Sequence, residues 1–444
     1  MVFFQGTSGL TCDRMKGATP IWGWVLIGVA LMVSFAVDFN NTAQGGAIDL
    51  RNRITGLRLL EHGIDAYHYK WHNGDPEEYC DVYNNPKLEV SKTTATPALL
   101  MLHLPLAALP YRAGQFLWLF AQWALLLGTA WLWLRACTKP WQVRLVALAV
   151  TGFTYTAAWR LHAERGQAYV LLTFLFAAWL TATLDRKWGN SFAAGCLAGF
   201  LATLRPPFVL LFPFLLQHRR GQLAGATAGL LLGIGLPLLI NPAGWSDYFS
   251  AMQTHSELYR NGIDPRPGPQ SYPPTVEGIP TDTLGHYVAI PYADFSVYAA
   301  LKALGLEENP LTGKAIPVGP VLVLMALPFA VWLRLSRKIA PEKLLAGLAA
   351  CFFIADLFLP AYRDCYNDVL MLDVVAMGVV LALGKIPWAV WPCALALPVG
   401  WAIYAFAPED AWVINLPTAL FAIGAVGFVL ASWMEVTSAN KIPR

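Results

Sequence analysis

Apolar runs close to the length of a bilayer crossing recur from one end of this chain to the other. That recurrence narrows the architecture more than any single motif does. Crossing a hydrocarbon core of ~30 Å takes about 20 predominantly apolar residues in a helix. Only helices and closed barrels satisfy their own backbone hydrogen bonds there. Such runs fall at 21–37, 114–134, 142–158, 168–184, 191–204, 206–216, 222–240, 316–333, 344–360, 369–384, 387–406 and 412–433. The expectation is an all-α, polytopic membrane protein with 12 transmembrane helices. Composition agrees: 56% of the 444 residues are hydrophobic and 13% charged, against about 25% charged in soluble domains.

Basic residues set the orientation. Loops on the side of the termini collect 16 Lys and Arg against 4 acids, and the other side holds 15 against 22 acids. Lys and Arg concentrated in short loops mark the cytoplasm. Both termini are therefore expected inside, with 38–113 and 241–315 facing the periplasm or exterior of a plasma (inner) membrane. The formal charge of +3 is segregated by loop and points to no nucleic acid. The run 97–110 is too short to span and reads as a re-entrant or interfacial helix in the first outer loop. The stretch 191–216 divides at Arg205-Pro206-Pro207, where a double proline breaks a helix.

The resulting organisation has five parts. A cytoplasmic N-terminus (1–20) precedes a membrane module (21–240) that carries the first outer loop. A second outer loop (241–315), a C-terminal membrane module (316–434) and a short inner tail (435–444) complete it. Span 21–37 is long for a signal peptide and reads as an uncleaved anchor. No P-loop and no GxGxxG after a strand occurs, so no site for ATP or a nucleotide sugar is expected. Energy for any transfer must come from an activated lipid-borne donor or an ion gradient.

The polar insert behind the first span carries the most distinctive residues. It opens with Ile48-Asp49-Leu50-Arg51-Asn52-Arg53, placing a carboxylate near the lipid–water boundary. Asp49 suits a general base, a role typically worth ~10²–10⁴ in rate. It equally suits an N-cap or salt-bridge partner for a helix that ends at Gly63. Asp65 reads as a turn residue. The segment 159–167 (WRLHAERGQ) crowds Arg160, His162, Glu164, Arg165 and Gln167 into a short outer loop. Its arginines suit a phosphate, while a solvated, self-paired loop is the plainer alternative. Arg205 lies between apolar limbs, where an unpartnered cation costs ~2.5–3.5 kcal/mol. It faces either a ligand or, by snorkelling, the interface. Arg363, Asp364 and Asp368 mark a late outer turn, with Asp356 and Asp373 inside the flanking spans. The cluster Asp75, Glu77, Glu78 and Asp81 lacks cation-loop spacing and reads as a solvated acidic loop. Neither metal nor cofactor is expected. Of the seven cysteines only Cys80 and Cys365 lie in outer loops, where they are either bridged or free.

The order of these features resembles the integral-membrane glycosyltransferases of the GT-C superfamily. It resembles in particular the bacterial polyprenol-phosphate-mannose-dependent alpha-mannosyltransferases. The match runs from one span and the acidic IDLRNR (48–53) through Gly63-Ile64-Asp65-Ala66-Tyr67 to the Pro-led run 97–110. It continues with Gly166-Gln167 and Arg205-Pro206. The resemblance implies inverting, metal-independent transfer of a mannose-like hexose from a polyprenyl-phosphate donor to a glycan or glycolipid acceptor. In that scheme Asp49 is the base, Arg205 holds the donor phosphate and Gln167 lies near the sugar. Arg160 and Arg363 are further candidates for the phosphate, and Asn52, His162 and Tyr67 for the sugar or acceptor. The chain departs from the pattern in having Ala66 where proline is usual, and Arg363 and Tyr366 where the late turn often has histidine. Two rivals stand beside it. One is a proton-coupled secondary transporter or lipid-linked-sugar flippase using Asp356 and Asp373. The other is a lipid-binding scaffold without catalysis.

Overall fold

The computed structural model describes residues 21–44, 47–82, 84–185, 191–261, 275–281 and 369–381, with a few isolated positions besides. It is built from helices: α1 Ile21–Ala43, α2 Ile48–Glu61, α3 Pro97–Met101, α4 Leu104–Ala107, α5 Tyr111–Ala136, α6 Pro140–Phe153 and α7 Ala157–Glu164. Then come α8 Tyr169–Leu184, α9 Phe192–Leu204, α10 Leu211–His218, α11 Leu223–Ile240, α12 Gly244–Arg260 and α13 Met371–Leu381. A two-stranded hairpin, β1 Thr275–Val276 and β2 Ile279–Pro280, is the one sheet among the described residues.

Three of these stretches are long and apolar enough to cross a membrane, at Ile21–Ala43, Tyr111–Ala136 and Arg220–Ile240. Helices α7 and α8, bent by 116° at their junction, make a fourth if counted as one broken span. Those expected at 316–333, 344–360, 387–406 and 412–433 lie outside the described residues. The run 97–110 forms two short helices, as its length requires. Lipid-facing character shows on α1 and α11, where Trp22, Met32, Leu231 and Leu239 are exposed.

Helices α9 and α11 meet backbone to backbone. Gly195 and Gly199 face Gly225, Gly229 and Gly233, and a Cβ at any of them would collide with the opposite helix. Small residues four apart permit this approach within a bilayer, where close van der Waals packing holds helices together. Elsewhere the packing is aromatic and polar. Asp38, buried in α1, accepts hydrogen bonds from Trp123 Nε1 (3.1 Å), Trp159 Nε1 (2.9 Å) and Arg160 (2.5 Å). Trp133 Nε1 donates to Asp373 Oδ1 (2.8 Å), tying α5 to α13.

Two readings of the sequence need correcting. The first helix does not end at residue 37 but runs to Ala43. Asp38 is therefore a helical core residue rather than the start of an outer loop. The segment 159–167 is not a solvated loop either. Most of it is α7, with Arg160, His162, Glu164 and Gln167 all under 5% exposed.

Candidate active site

Helix α2 enters from Ala47, whose φ of 70° is rare for a residue with a Cβ. The first N–H groups of a helix lack intrahelical partners. Here they are met by carbonyls of another segment. Asp49 N and Leu50 N donate to Arg165 O (2.9 and 3.3 Å), and Ala47 N, just ahead of them, donates to Glu164 O. Of the roles the sequence leaves open to Asp49, the N-cap is not taken, since Ala47 holds that position without a side-chain bond, whereas the salt bridge is, with Arg165.

The Asp49 carboxylate is freed for other contacts. It receives Arg165 Nε (2.6 Å), Gln167 Nε2 (2.5 Å) and, more weakly, Asn52 Nδ2 (3.4 Å). Burial alone would raise its pKa, but the Arg165 ion pair, with Arg53 and Lys92 nearby, outweighs burial and holds it below the usual aspartate range. Arg53, one turn on, donates to Gly166 O (2.9 Å) and to Gln167 Oε1. The turn that meets α2 depends on Gly166. Its φ is +65°, and a Cβ there would lie 2.8 Å from that of Leu50.

Arg205 is positioned by a different route. It ends α9 in extended conformation (φ −147°, ψ 114°) ahead of Pro206, as a pre-proline residue should. Its guanidinium lies 4.7 Å from the centre of the Tyr169 ring and donates to the Tyr169 hydroxyl (2.7 Å). Tyr169 opens α8 only two residues after Gln167. One tetrapeptide, Gly166-Gln167-Ala168-Tyr169, therefore holds the Asp49 carboxylate at one end and the Arg205 cation at the other. Tyr248 of α12 sits beside this cation. Burial pushes its phenol up to about 12 although Arg205 pulls it down. The Tyr67 ring meets Tyr248 edge-on at 5.6 Å, and the Tyr67 hydroxyl donates to Ala95 O (3.0 Å).

The sequence candidates thus separate. Asp49, Asn52 and Gln167 converge, and Arg205 joins them through Tyr169, with Tyr67 behind Tyr248. Arg160 points the other way, into an ion pair with Asp38 and hydrogen bonds to Ser34. His162 is fully buried, its Nε2 accepting the N–H of Val170 (3.0 Å), so the imidazole is neutral and serves to start α8. Arg363 lies outside the described residues, as do Asp356 and Cys365. Sequence reasoning passed over Arg53, Tyr169 and Tyr248. The i, i+4 spacing of Asp49 and Arg53 on one helix face was the available signal for the first.

The acidic run of the first outer loop is also more structured than expected. Asp75 accepts from Tyr69 Oη (2.8 Å) and His72 N (2.8 Å), and Asp81 is buried. Asp65 makes the expected turn, accepting from Tyr67 N and His68 N.

Residues 94–360 match the model of glycosyltransferase family 87, more than half of the chain. The chain belongs to glycosyltransferase family 87. That family is of the GT-C type, so this is a membrane-integral glycosyltransferase with sugar donor and acceptor substrates. No curated protein sequence matches the chain.

Proposed function

We propose that this family 87 enzyme moves a mannose-like hexose from a polyprenyl-phosphate donor to a glycan or glycolipid acceptor, with inversion and without a metal. Chemistry takes place at the outer face of the plasma membrane, with both termini inside. The observation that carries the reading is the tetrapeptide 166–169. Through Gln167 and Tyr169 it holds a carboxylate and a half-buried guanidinium at its two ends.

The division of labour follows from the chemistry of the two groups. The donor's tail lies in the bilayer, and its phosphate meets Arg205, whose planar fork can take two oxygens at once. Arg363 is the remaining candidate for a second phosphate contact; Arg160 is engaged by Asp38. The acceptor hydroxyl oxygen attacks the anomeric carbon as the bond from that carbon to phosphate oxygen breaks. Polyprenyl phosphate departs with the bonding electrons, and Asp49 takes the hydroxyl proton. An aspartate held below its usual range is a weak base toward a resting alcohol. It takes the proton late, once the forming C–O bond has acidified the hydroxyl. Growing charge on the leaving phosphate is met by the preorganised Arg205. Asn52 and Gln167, on either side of the carboxylate, orient the acceptor and sugar hydroxyls.

Purified protein offered a panel of short-chain polyprenyl-phosphate sugars should release polyprenyl phosphate from the mannose-like member in the presence of an acceptor. Release from nucleotide sugars and from no lipid-linked sugar would overturn the proposal.

A further inference from the structure

Helix α2 has two polar faces, and only one of them meets the candidate site. Asp49, Asn52 and Arg53 face the 164–167 segment. Arg51 and Arg58, seven residues apart and so on a common stripe, face away. Both converge on Glu277 at the tip of the 275–280 hairpin. Arg58 NH1 lies 2.8 Å from Glu277 Oε1, and Arg51 NH1 pairs with Oε2. The two guanidinium side chains are 1% and 8% exposed. Their other hydrogen bonds go to neutral carbonyls: Arg51 to those of Glu77 and Cys80, Arg58 to those of Glu78, Ala107 and Leu109. Among the described residues Glu277 is thus the one carboxylate that neutralises either arginine. The hairpin is shaped to deliver it. Glu277 (φ 49°) and Gly278 (φ 75°) form a two-residue turn of the left-handed kind, and Glu277 N donates to Glu77 Oε2 (3.0 Å).

We infer that Glu277 is a positioning residue of the transfer reaction: clamped by Arg51 and Arg58, it fixes α2 from behind and so holds Asp49 against Arg165 and Gln167. A buried pair of guanidinium groups left without a carboxylate must rehydrate or move, and moving them rotates the helix that carries Asp49. The second outer loop is thereby coupled to the reacting end of the site without touching substrate.

The inference rests on the reading of Asp49 as the base, so its test has one arm that does not use activity. Hydrogen exchange is followed at the Asp49 and Leu50 amides, which bond Arg165 O. In E277Q their exchange should accelerate at least tenfold, with E277D restoring most of the protection. The second arm is turnover of a short-chain polyprenyl-phosphate mannose. E277Q should lower kcat more than tenfold with donor KM within twofold, and E277D should recover much of it. The acid limb of kcat should also move to higher pH in E277Q, because loosening Arg165 from Asp49 lets the carboxyl rise. A mere loss of folded enzyme would scale the profile without moving it. The triple variant R51Q/R58Q/E277Q, which removes the clamp without leaving its arginines unneutralised, keeps the test open if E277Q unfolds, and should show the same fast exchange and shifted limb. Unchanged amide exchange in soluble E277Q or the triple variant overturns the inference. So does fast exchange with kcat and acid limb unchanged, provided Asp49→Asn is inactive. An active Asp49→Asn would instead remove the base reading, and the exchange arm alone would then judge the clamp.

Discussion

Two helix junctions in this molecule solve opposite burial problems. Helices α9 and α11 approach until backbone touches backbone along most of the seam, with glycines making the room and the Thr203 side chain packed onto Gly233 at one end. Helix α2 instead buries a charged sequence, IDLRNR, and every charge in it finds a specific partner. The first junction is held by shape. The second is held by pairings that mostly cross more than a hundred residues of sequence, such as Asp49 with Arg165 and Arg51 with Glu277. A shape-held seam tolerates no added atom but says little about chemistry. A charge-held junction stores polar groups in a dry setting, where their electrostatic interactions are stronger than in water.

The largest effect expected from probing this contrast is at the seam. Gly229→Val should cost ~3 kcal/mol or more, since the added side chain meets the Cys196 backbone, which cannot move aside. Thermal unfolding in detergent, or yield of monodisperse protein, measures it. A melting temperature within a degree of wild type would mean the helices are not in this contact.

Arg165→Met attacks the other junction. Breaking a fully buried pair by removing one partner typically costs about 3–5 kcal/mol; the Arg165 side chain is 14% exposed, which puts this pair below that range. The effect on pH is specific. Arg165 lowers the Asp49 pKa, so without it the carboxyl titrates at higher pH, and activity is lost at a higher pH on acidification. Rate against pH under saturating donor checks this; an unmoved acid limb would separate Arg165 from Asp49. Tyr169→Phe should have the smallest effect. It keeps the ring under Arg205 but removes the hydroxyl acceptor, a loss of ~1 kcal/mol. Titration with a non-transferable polyprenyl-phosphate analogue should show weaker binding by about fivefold to tenfold, with kcat nearly intact.

The same contrast explains what could be read from sequence. Membrane character is a property of local composition, whereas the glycines of the seam, though spaced four apart, do not by themselves say which two runs meet. Helix 48–61 was visible because Gly63, with φ of 70°, ends it as glycine commonly does. Its start was misjudged because the partners of its first N–H groups are carbonyls of Glu164 and Arg165, far along the chain. Arg160 reads in isolation as a phosphate ligand; only the fold brings Asp38 to it. Gln167 and Arg205 were legible as motif residues, whereas Tyr169 between them is one aromatic among many apolar neighbours until the fold sets Arg205 on its ring.

Asp49→Asn tests the central claim most directly, when transfer and donor binding are measured on the same preparation. The amide keeps the shape and one acceptor oxygen for Arg165 but cannot take a proton. Turnover of the polyprenyl-phosphate sugar should fall at least ~10²-fold, with affinity for the non-transferable donor analogue within about twofold of wild type, since Arg205 is untouched. Turnover within threefold of wild type would contradict the account, because Asp49 would then be a structural anchor of α2 and another group would take the acceptor's proton.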